Sequence, residues 1–262
     1  MKYGFLGCGN MGGAIAKALS NTTTDILLTS KTAETARTLS QRLNCSWTES
    51  NEEAAACETV FLAVKPQMMA AVLAPLSPIL QKKKPLLVSM AAGLTRAQIE
   101  QMAGGNIPVV RIMPNTPVSI GMGMTTYCRN GLVSDDQMDA LLTDLAQAGR
   151  FDAIDEKLMD ASTVAAGCAP AYAYMFIEAM ADGAVACGLP RHKALEYAAA
   201  AVSGAAQLLL ETGNHPGALK DAVCSPGGST IAGVKVLEEN GFRGAVMDAI
   251  SAAYRRNIEL SK

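Results

Sequence analysis

The stretch Gly4-Phe5-Leu6-Gly7-Cys8-Gly9-Asn10-Met11-Gly12-Gly13-Ala14 decides the fold of this chain. A short apolar run leads into three glycines in GxGxxG spacing, and a helix is predicted to begin at about Asn10. The first glycine permits a tight turn, the second lets a pyrophosphate approach the backbone, and the third allows helix and strand to pack closely. The helix N-terminus then faces the phosphates. This context predicts a dinucleotide-binding site; a purely structural glycine turn is the alternative.

Composition and charge narrow the classes of protein to which the chain can belong. Its 262 residues are half hydrophobic, enough for one large or two ordinary domains, and its net charge is −2. The one run of basic residues, Lys82-Lys83-Lys84, precedes Pro85 and is typical of a solvated loop, and aromatic residues are scarce. We therefore expect no nucleic-acid partner.

The cysteines and the start of the chain indicate a cytoplasmic protein. Seven cysteines, with no CxxC pair, accompany only two histidines, so we expect reduced thiols and no metal site. The chain opens directly on a predicted strand, so no signal peptide is expected. The most apolar segment, Ala165 to Leu189, contains Glu178 and Asp182, which favours a buried helix over a membrane span.

The residues after the second predicted strand (residues 25–29) bear on the choice of cofactor. An NAD site has an Asp or Glu at about this place to bind the ribose 2′-hydroxyl, but this chain has Ser30-Lys31-Thr32. Hydroxyls and a cation suit the 2′-phosphate of NADP, which a carboxylate would repel. An ordinary helix N-cap by Ser30 or Thr32 is the alternative. We predict NADPH as the cofactor, with NADH possible.

Strands and helices alternate over the first part of the chain. Further strands are predicted at about residues 45–47, 59–64, 86–89, 109–112, 124–127 and 151–154. The run Thr59 to Val64 is apolar throughout, as in a strand buried on both faces of a parallel sheet, and it ends at Lys65, a candidate cofactor contact. The alternation predicts an α/β fold with a doubly wound sheet of six to eight strands and right-handed crossovers.

From about residue 157 the pattern becomes helical, with no convincing strand. Helices are predicted over about 157–188, with a kink at Pro170, and over 191–211, 216–223, 230–239 and 243–260. These Ala-rich segments have more apolar surface than one monomer easily hides, which favours a dimer. We therefore predict a Rossmann-type dinucleotide-binding domain over residues 1–156 and an all-helical dimerisation and substrate domain over residues 157–262.

A second glycine-rich loop, Pro226-Gly227-Gly228-Ser229-Thr230, precedes a predicted helix. Free N–H groups at such a helix start suit an anion, here a substrate carboxylate, although a helix N-cap with a flexible loop is the alternative. Proton donors are scarce: both histidines lie near predicted helix ends, and no lysine occurs between Lys157 and Arg191. A protonated imine already has its activating charge and would mainly need to be oriented.

These motifs give the chain a close resemblance to the pyrroline-5-carboxylate reductase family. The matching stretches run nearly end to end and include Phe61-Leu62-Ala63-Val64-Lys65-Pro66-Gln67, Met90-Ala91-Ala92-Gly93, Arg111-Ile112-Met113-Pro114-Asn115-Thr116-Pro117 and, most specifically, Ser225-Pro226-Gly227-Gly228-Ser229-Thr230-Ile231. The resemblance implies a Rossmann domain joined to a helical dimerisation domain. It also implies hydride transfer from NAD(P)H to the imine carbon of 1-pyrroline-5-carboxylate, giving L-proline, and homodimers that assemble further, often as a decamer of five dimers.

The resemblance and the residue patterns together define the predicted sites. The substrate site comprises Glu156, Val223, Gly228, Ser229 and Thr230, and the Thr230 hydroxyl is the predicted catalytic group that passes a proton to the ring nitrogen. Asn115 is predicted to face the nicotinamide. The predicted cofactor residues are Gly7, Cys8, Gly9, Asn10, Met11, Gly12, Ser30, Lys31, Asn51, Ala63, Val64, Lys65, Pro66, Met90, Ala91, Ala92 and Asn115.

One stretch departs from the family pattern. The family commonly has Ser-Gly-Ser-Gly-Pro-Ala-Tyr where this chain has Ala166-Gly167-Cys168-Ala169-Pro170-Ala171-Tyr172. We expect these positions to pack helices rather than contact substrate, so that activity is retained. The alternatives are another imine or hydroxyacid reductase of the same architecture and a non-catalytic NADP-binding module. The missing helix lysine argues against a hydroxyacid substrate, and the second anion loop argues against a binding module.

Overall fold

The computed structural model describes residues 1–260 and contains one eight-stranded sheet. The strand order is β3-β2-β1-β4-β5-β6-β7-β8, in which only the β6–β7 pair is antiparallel among the described strands. The predicted doubly wound α/β fold is thereby confirmed. The strands are β1 (Tyr3–Leu6), β2 (Ile26–Thr29), β3 (Ser46–Trp47), β4 (Thr59–Leu62), β5 (Leu86–Ser89), β6 (Val109–Met113), β7 (Gly123–Arg129) and β8 (Gly149–Ala153).

Both faces of the central strands are buried, as their continuous apolar runs require. Because side chains alternate along a strand, Phe5 and Phe61 lie on one face, with ring centroids 4.5 Å apart, while Leu6 and Leu62 lie in the core of the other face. The helices before the long helical region are α1 (Asn10–Leu19), α2 (Ala33–Leu43), α3 (Asn51–Ala55), α4 (Met69–Lys83), α5 (Arg96–Met102) and α6 (Asp135–Asp144).

The orientation of β7 differs from the expectation of right-handed crossovers throughout. β7 runs antiparallel to β6, with Met113 opposite Thr126. The connecting residues 114–122 include a 3₁₀ helix, Thr116–Ile120. A parallel crossover needs about a dozen residues or more, so this short connection can only return the chain in the opposite direction.

The long helix predicted over residues 157–188 is interrupted in the structure. A 3₁₀ turn (Glu156–Leu158), α7 (Met159–Ser162) and a π-helical turn (Thr163–Gly167) precede α8 (Ala169–Ala186). The interruption lies just before Pro170, where a kink is predicted. Remaining helices are α9 (Arg191–Thr212), α10 (Pro216–Ala222), α11 (Ser229–Glu239) and α12 (Phe242–Leu260).

The expectation that the apolar segment 165–189 forms a buried helix is not met in a single chain. Of α8, only Ala181 is buried. By length and composition alone, the helical stretch Glu156–Ala186 could cross a membrane. A single helix of this kind is weak evidence for a membrane protein. An apolar helix that is exposed in a single chain is also typical of the interface of a helical oligomer.

By internal contacts the chain forms two compact units. The first comprises Met1–Cys168 together with the chain from Tyr254 onward, and the second comprises Ala169–Ala253. The predicted domain boundary between residues 156 and 157 lies where the sequence pattern becomes helical. That residues 1–156 bind the dinucleotide and residues 157–262 dimerise and bind substrate stays a prediction. All seven cysteines are free; Cys8, Cys57 and Cys128 are buried, while Cys187 is exposed.

Candidate active site

The carboxyl ends of four parallel strands bring the predicted cofactor residues to one edge of the sheet. In register, Leu6 pairs with both Thr29 and Leu62, and Leu62 pairs with Ser89. The next residue of each strand therefore lies at the same level: Gly7, Ser30, Ala63 and Met90. The strand order 3-2-1-4-5-6 reverses between β1 and β4, the position at which open α/β sheets bind nucleotides.

The glycine loop is shaped by close backbone contacts. Gly7 has φ +95°, a left-handed conformation that glycine adopts without strain, and its amide donates to the Thr29 carbonyl at 3.2 Å. A Cβ on Gly12 would lie 2.5 Å from the Gly7 carbonyl oxygen and 2.7 Å from the Ala63 Cβ. By contrast, a Cβ on Gly9 would have nothing within 4 Å. The loop is thus closed on the strand side and open at Gly9, the position where a pyrophosphate must approach.

The first turn of α1 has no side chain to satisfy its amides. Gly9 is the N-cap and makes no side-chain cap hydrogen bond. Helices α3, α5 and α6 start differently, because Ser50, Thr95 and Ser134 each accept a hydrogen bond from a backbone amide of the first turn. The uncapped amides of α1, at the positive end of the helix dipole, form a site suited to a diphosphate.

The end of β2 presents hydroxyls and a cation. Thr32 is the N-cap residue of α2, so the alternative of an N-cap by Ser30 or Thr32 holds by position, although the Thr32 side chain makes no cap hydrogen bond. Lys31 is exposed, and no ion pair involving it occurs among residues 1–260. The Asn51 side chain lies at the same edge, with its Oδ1 2.9 Å from the Thr29 hydroxyl.

Cys8 lies in the glycine loop as a neutral thiol. Burial raises the pKa of Cys8, and a hydrogen bond from the Ser30 side chain acts in the opposite direction without reversing the shift. A thiol that stays protonated adds no negative charge beside a diphosphate.

The segments after β4 and β5 complete this edge. The Ala63 amide donates to the Leu6 carbonyl at 3.0 Å, and the Met90 amide donates to the Leu62 carbonyl at 3.3 Å. Lys65 is exposed, Ala91 is buried and Ala92 is exposed. The predicted cofactor residues Gly7, Cys8, Gly9, Asn10, Met11, Gly12, Ser30, Lys31, Asn51, Ala63, Val64, Lys65, Pro66, Met90, Ala91 and Ala92 therefore follow neighbouring strand ends or begin helices next to them.

The side chain of Asn115 is engaged inside the first unit. Its Nδ2 donates to the Ala166 carbonyl at 3.1 Å, its Oδ1 accepts from the Met124 amide at 3.0 Å, and the residue is 8% exposed. Both ends of the amide thus have protein partners. The sequence motif placed this residue at the corner after β6 but did not indicate these partners.

Glu156 is bound by arginines of the first unit. Its Oε1 accepts from the Arg96 amide at 2.7 Å, and its Oε2 lies 3.1 Å from Arg96 Nε. The buried Arg111 guanidinium lies 3.8 Å from Glu156 and 3.5 Å from Asp160. Sequence reasoning missed this cluster, because its two arginines lie 45 and 60 residues from Glu156 along the chain. The proposed contact of Glu156 with substrate stays a prediction.

The second glycine-rich loop lies in the second unit, which is described by itself. Gly227 has φ +68°, and Gly228 is the N-cap of α11 without a side-chain cap hydrogen bond. Ser229 and Thr230 begin the helix and are exposed. Val223, also exposed, follows α10. The loop therefore repeats the arrangement of the glycine loop: a glycine N-cap and free first-turn amides at the start of a helix of 11 residues.

The two histidines lie near helix starts in the second unit, as predicted. His215 is the N-cap of α10, and its Nδ1 accepts from the Gly217 amide at 3.1 Å, which confirms the interpretation of His215 as a capping residue. His192 is exposed in the first turn of α9.

Two protein-family models match the chain. The model described as pyrroline-5-carboxylate reductase dimerisation matches residues 156–260, and the model described as NADP oxidoreductase, coenzyme F420-dependent, matches residues 2–93.

Similar proteins align along the full length of the chain. The pyrroline-5-carboxylate reductase of Escherichia coli strain K12 is 41% identical over 266 residues, covering 100% of this chain and 98% of that protein. The crystal structure of Plasmodium falciparum pyrroline carboxylate reductase with NADP bound matches with a TM-score of 0.88 and 33% identity, covering 100% of this chain and 98% of the other. The corresponding structure from Streptococcus pyogenes has a TM-score of 0.90 at 33% identity, covering 99% and 98%.

Proposed function

The chain belongs to the pyrroline-5-carboxylate reductase family, and we propose that it reduces 1-pyrroline-5-carboxylate to L-proline with NADPH. The observation that supports this most strongly is a feature that helices α1 and α11 share. Each follows a glycine N-cap, so no side chain caps its first-turn amides. Two anion sites are what a reaction between a dinucleotide and a carboxylate substrate requires. In this proposal residues 1–156 bind the cofactor and residues 157–262 bind substrate and dimerise.

The first unit fits a nicotinamide dinucleotide. The amides of Asn10 and Met11 would hold the pyrophosphate, because Gly9 leaves that approach open. Ser30 and Lys31, with Asn51 beside them, would hold the 2′-phosphate, and this favours NADPH over NADH. When bound, the reduced cofactor supplies the hydride. At this edge of the sheet, the residues of the chain bind the cofactor and orient its nicotinamide.

The second unit fits the carboxylate end of the substrate. The amides of Ser229 and Thr230 would donate to the carboxylate, and the dipole of α11 favours its negative charge. The Thr230 hydroxyl, in the first turn of the same helix, would face the ring nitrogen and pass a proton to it. Val223 and Gly228 border this loop, and Glu156 is proposed to act near the substrate from the segment that precedes α7.

An imine substrate suits loops whose proposed contacts are backbone amides and a hydroxyl. A protonated C=N bond is already electrophilic, so binding and orientation can supply most of the catalysis. A hydroxyacid or keto-acid substrate needs a donor such as lysine or histidine, and α8 has no lysine, while His215 is used as a cap. This contrast favours an imine reductase over the alternative reductase classes.

Assembly and location complete the proposal. We propose a homodimer formed through the second unit, further assembled as five dimers, in the cytoplasm, where seven free cysteines are compatible with a reducing environment. The exposed apolar face of α8 supports the dimer. We expect neither nucleic acid nor membrane as a partner.

The proposal is tested by a substrate-dependent assay on the purified chain. We expect NADPH oxidation that requires 1-pyrroline-5-carboxylate and yields one proline per NADPH, with slower oxidation of NADH at equal concentration. A 2-keto acid serves as the comparison substrate and should give no turnover. NADPH binding without turnover of either substrate would favour a binding module, and turnover of the keto acid would favour a hydroxyacid reductase.

A further inference from the structure

The carbonyl of Ala166 lies at a position where the helix cannot supply its usual partner. In an α-helix this carbonyl would accept from the amide of residue 170, but residue 170 is proline and has no N–H. A proline ring also clashes with the carbonyl four residues before it. The backbone accordingly opens into the π-helical turn Thr163–Gly167, in which the Cys168 amide donates to the Thr163 carbonyl at 3.1 Å.

The missing donor comes from a side chain 51 residues earlier in the chain. Asn115 Nδ2 donates to the Ala166 carbonyl at 3.1 Å, while Asn115 Oδ1 accepts from the Met124 amide, the second residue of β7, at 3.0 Å. Asn115 is 8% exposed, so water could hardly replace a hydrogen-bond partner that its side chain lost. One amide side chain therefore joins the corner after β6, the start of β7 and the π-helical turn.

The same segment is held to the sheet at neighbouring points. The hydroxyls of Thr126 and Ser162 lie 2.8 Å apart, and the buried Arg111 guanidinium lies 3.5 Å from Asp160. The bond from Asn115 to Ala166 is the last of these contacts along the chain, and Ala166 lies two residues before Cys168, the end of the first segment of that unit. It thus fixes the turn from which the second unit continues.

We infer that Asn115 is a positioning residue whose amide replaces the hydrogen-bond donor that Pro170 lacks, rather than a residue that contacts the nicotinamide. For catalysis this inference rests on the proposed function. The corner Met113–Asn115 lies at the cofactor edge of the sheet, and the second unit, which follows the π-helical turn, contains the proposed substrate loop. A loosened turn should therefore impair the reaction of bound substrate while cofactor affinity is kept.

A double-mutant cycle tests this inference without depending on activity. Pro170→Ala restores an N–H at residue 170, so the Ala166 carbonyl can be paired within the helix. We expect Asn115→Ala to lower the melting temperature by about 2–4 °C in the wild-type background and by less than half of that in the Pro170→Ala background. Effects of proline on the unfolded chain cancel in the cycle, because they occur on both of its sides.

Kinetics provide the second measurement. We expect Asn115→Ala to lower kcat by roughly 10- to 100-fold, as small misplacements do, while KM for NADPH changes by less than about twofold. If Asn115→Ala does not fold, Asn115→Asp replaces it, since a carboxylate still accepts from Met124 but has no hydrogen to donate to Ala166. The matched control is Asn130→Ala, which removes another bridging asparagine, bound to Val109 and Ile107 at the opposite end of β6. The control should show no coupling to Pro170 and unchanged kinetic constants.

The outcomes separate the two claims. Additive melting-temperature shifts for Asn115 and Pro170 would overturn the inference, and so would a rise in KM for NADPH as large as the fall in kcat. Should the wild-type chain lack reductase activity, the proposed function fails, yet the thermal cycle still decides whether Asn115 replaces the missing donor.

Discussion

Gly9 separates a binding defect from a folding defect better than Gly7 or Gly12. A side chain at Gly9 has open space, whereas a Cβ at Gly12 would lie 2.5 Å from a backbone oxygen. We expect Gly9→Val to leave the melting temperature within about 2 °C and to weaken NADPH binding at least about tenfold, because the new side chain occupies the approach of the pyrophosphate. Titration calorimetry with NADPH measures the affinity. Gly131→Val, also with open space around its Cβ, is the control, and equal NADPH affinity in both variants would remove the glycine loop from the cofactor site.

Lys31 is the residue at which cofactor preference can be tested. A charge-assisted bond to a phosphate contributes about 1.5–3 kcal/mol, so we expect Lys31→Glu to raise KM for NADPH at least about tenfold. NADH has no 2′-phosphate, and its KM should change less than about twofold. Lys82→Glu, at an exposed lysine near the end of α4, controls for net charge. Equal losses for the two cofactors would contradict the assignment of a 2′-phosphate site to Lys31.

Thr230 should affect chemistry much more than stability. It is exposed in the first turn of α11, so Thr230→Ala should shift the melting temperature by no more than about 2 °C. Positioned proton transfer contributes about 100-fold or more, and we expect kcat to fall to that extent. Thr230→Ser keeps the hydroxyl and should retain most of the activity. Unchanged kinetics in Thr230→Ala would exclude the hydroxyl from the reaction.

At the scale of elements, the glycine spacing and the apolar runs predicted the strands of the sheet and the start of α1. No helix was predicted over α4, which contains Pro75 and Pro78. Both prolines are exposed, so the carbonyls they leave unpaired can face water, while Leu73, Leu76 and Leu80 form the buried face. A local rule about proline was overridden by the packing of one helix face, which only the folded chain shows.

The candidate site was predictable where it depends on strand ends and unpredictable where it depends on tertiary partners. Residues after β1, β2, β4 and β5 follow from strand pattern and topology. The bonds of Asn115 and Glu156 join residues 51 and 60 positions apart, and no local pattern encodes them. Pro170 gave a partial signal, since a proline within a helical pattern implies a carbonyl in need of another donor.

Asp144, at the end of α6, binds Lys2 and Tyr3 at the start of β1, and the contribution of these contacts to stability depends on pH. Asp144 accepts hydrogen bonds from the Lys2 ammonium at 2.5 Å and from the Tyr3 hydroxyl. Burial raises the pKa of Asp144, but the hydrogen bonds from Lys2 and Tyr3 outweigh it and lower the pKa below its usual 3.8. Because the folded pKa is depressed, this stabilisation is present above the unfolded pKa and is lost as pH falls through the folded pKa.

We therefore expect Asp144→Asn to lower the free energy of unfolding by roughly 1–3 kcal/mol at pH 7. The difference from wild type should begin to shrink near pH 4, the pKa of the unfolded carboxyl, and should go on shrinking as pH falls through the lower folded pKa. Urea unfolding at several pH values measures both quantities. Asp139→Asn, at an exposed position of the same helix, is the control. A difference that stays constant down to pH 2.5 would contradict the assigned ionic contribution.

At the scale of the whole molecule, the second unit leaves an apolar groove uncovered in a single chain. Tyr172, Met175 and Phe176 of α8 line one side, and Leu237, Phe242 and Val246 line the other. The rings of Phe176 and Phe242 are 5.8 Å apart, and Met175 is 69% exposed. A soluble monomer rarely exposes so continuous an apolar surface, and the dimerisation model spans all of these residues.

A second chain covering this groove would account for the exposure of α8, an apolar helix of which only Ala181 is buried. We expect Met175→Glu to shift the protein from dimer or larger assembly toward single-chain mass, because a carboxylate would have to be desolvated in the interface. Since Met175 is exposed in one chain, the helical content should persist. Sedimentation velocity measures the assembly, and Leu132→Glu, at a residue 45% exposed in the first unit, is the control. An unchanged sedimentation coefficient for Met175→Glu would place the dimer interface elsewhere, and the apolar groove would then need a different occupant.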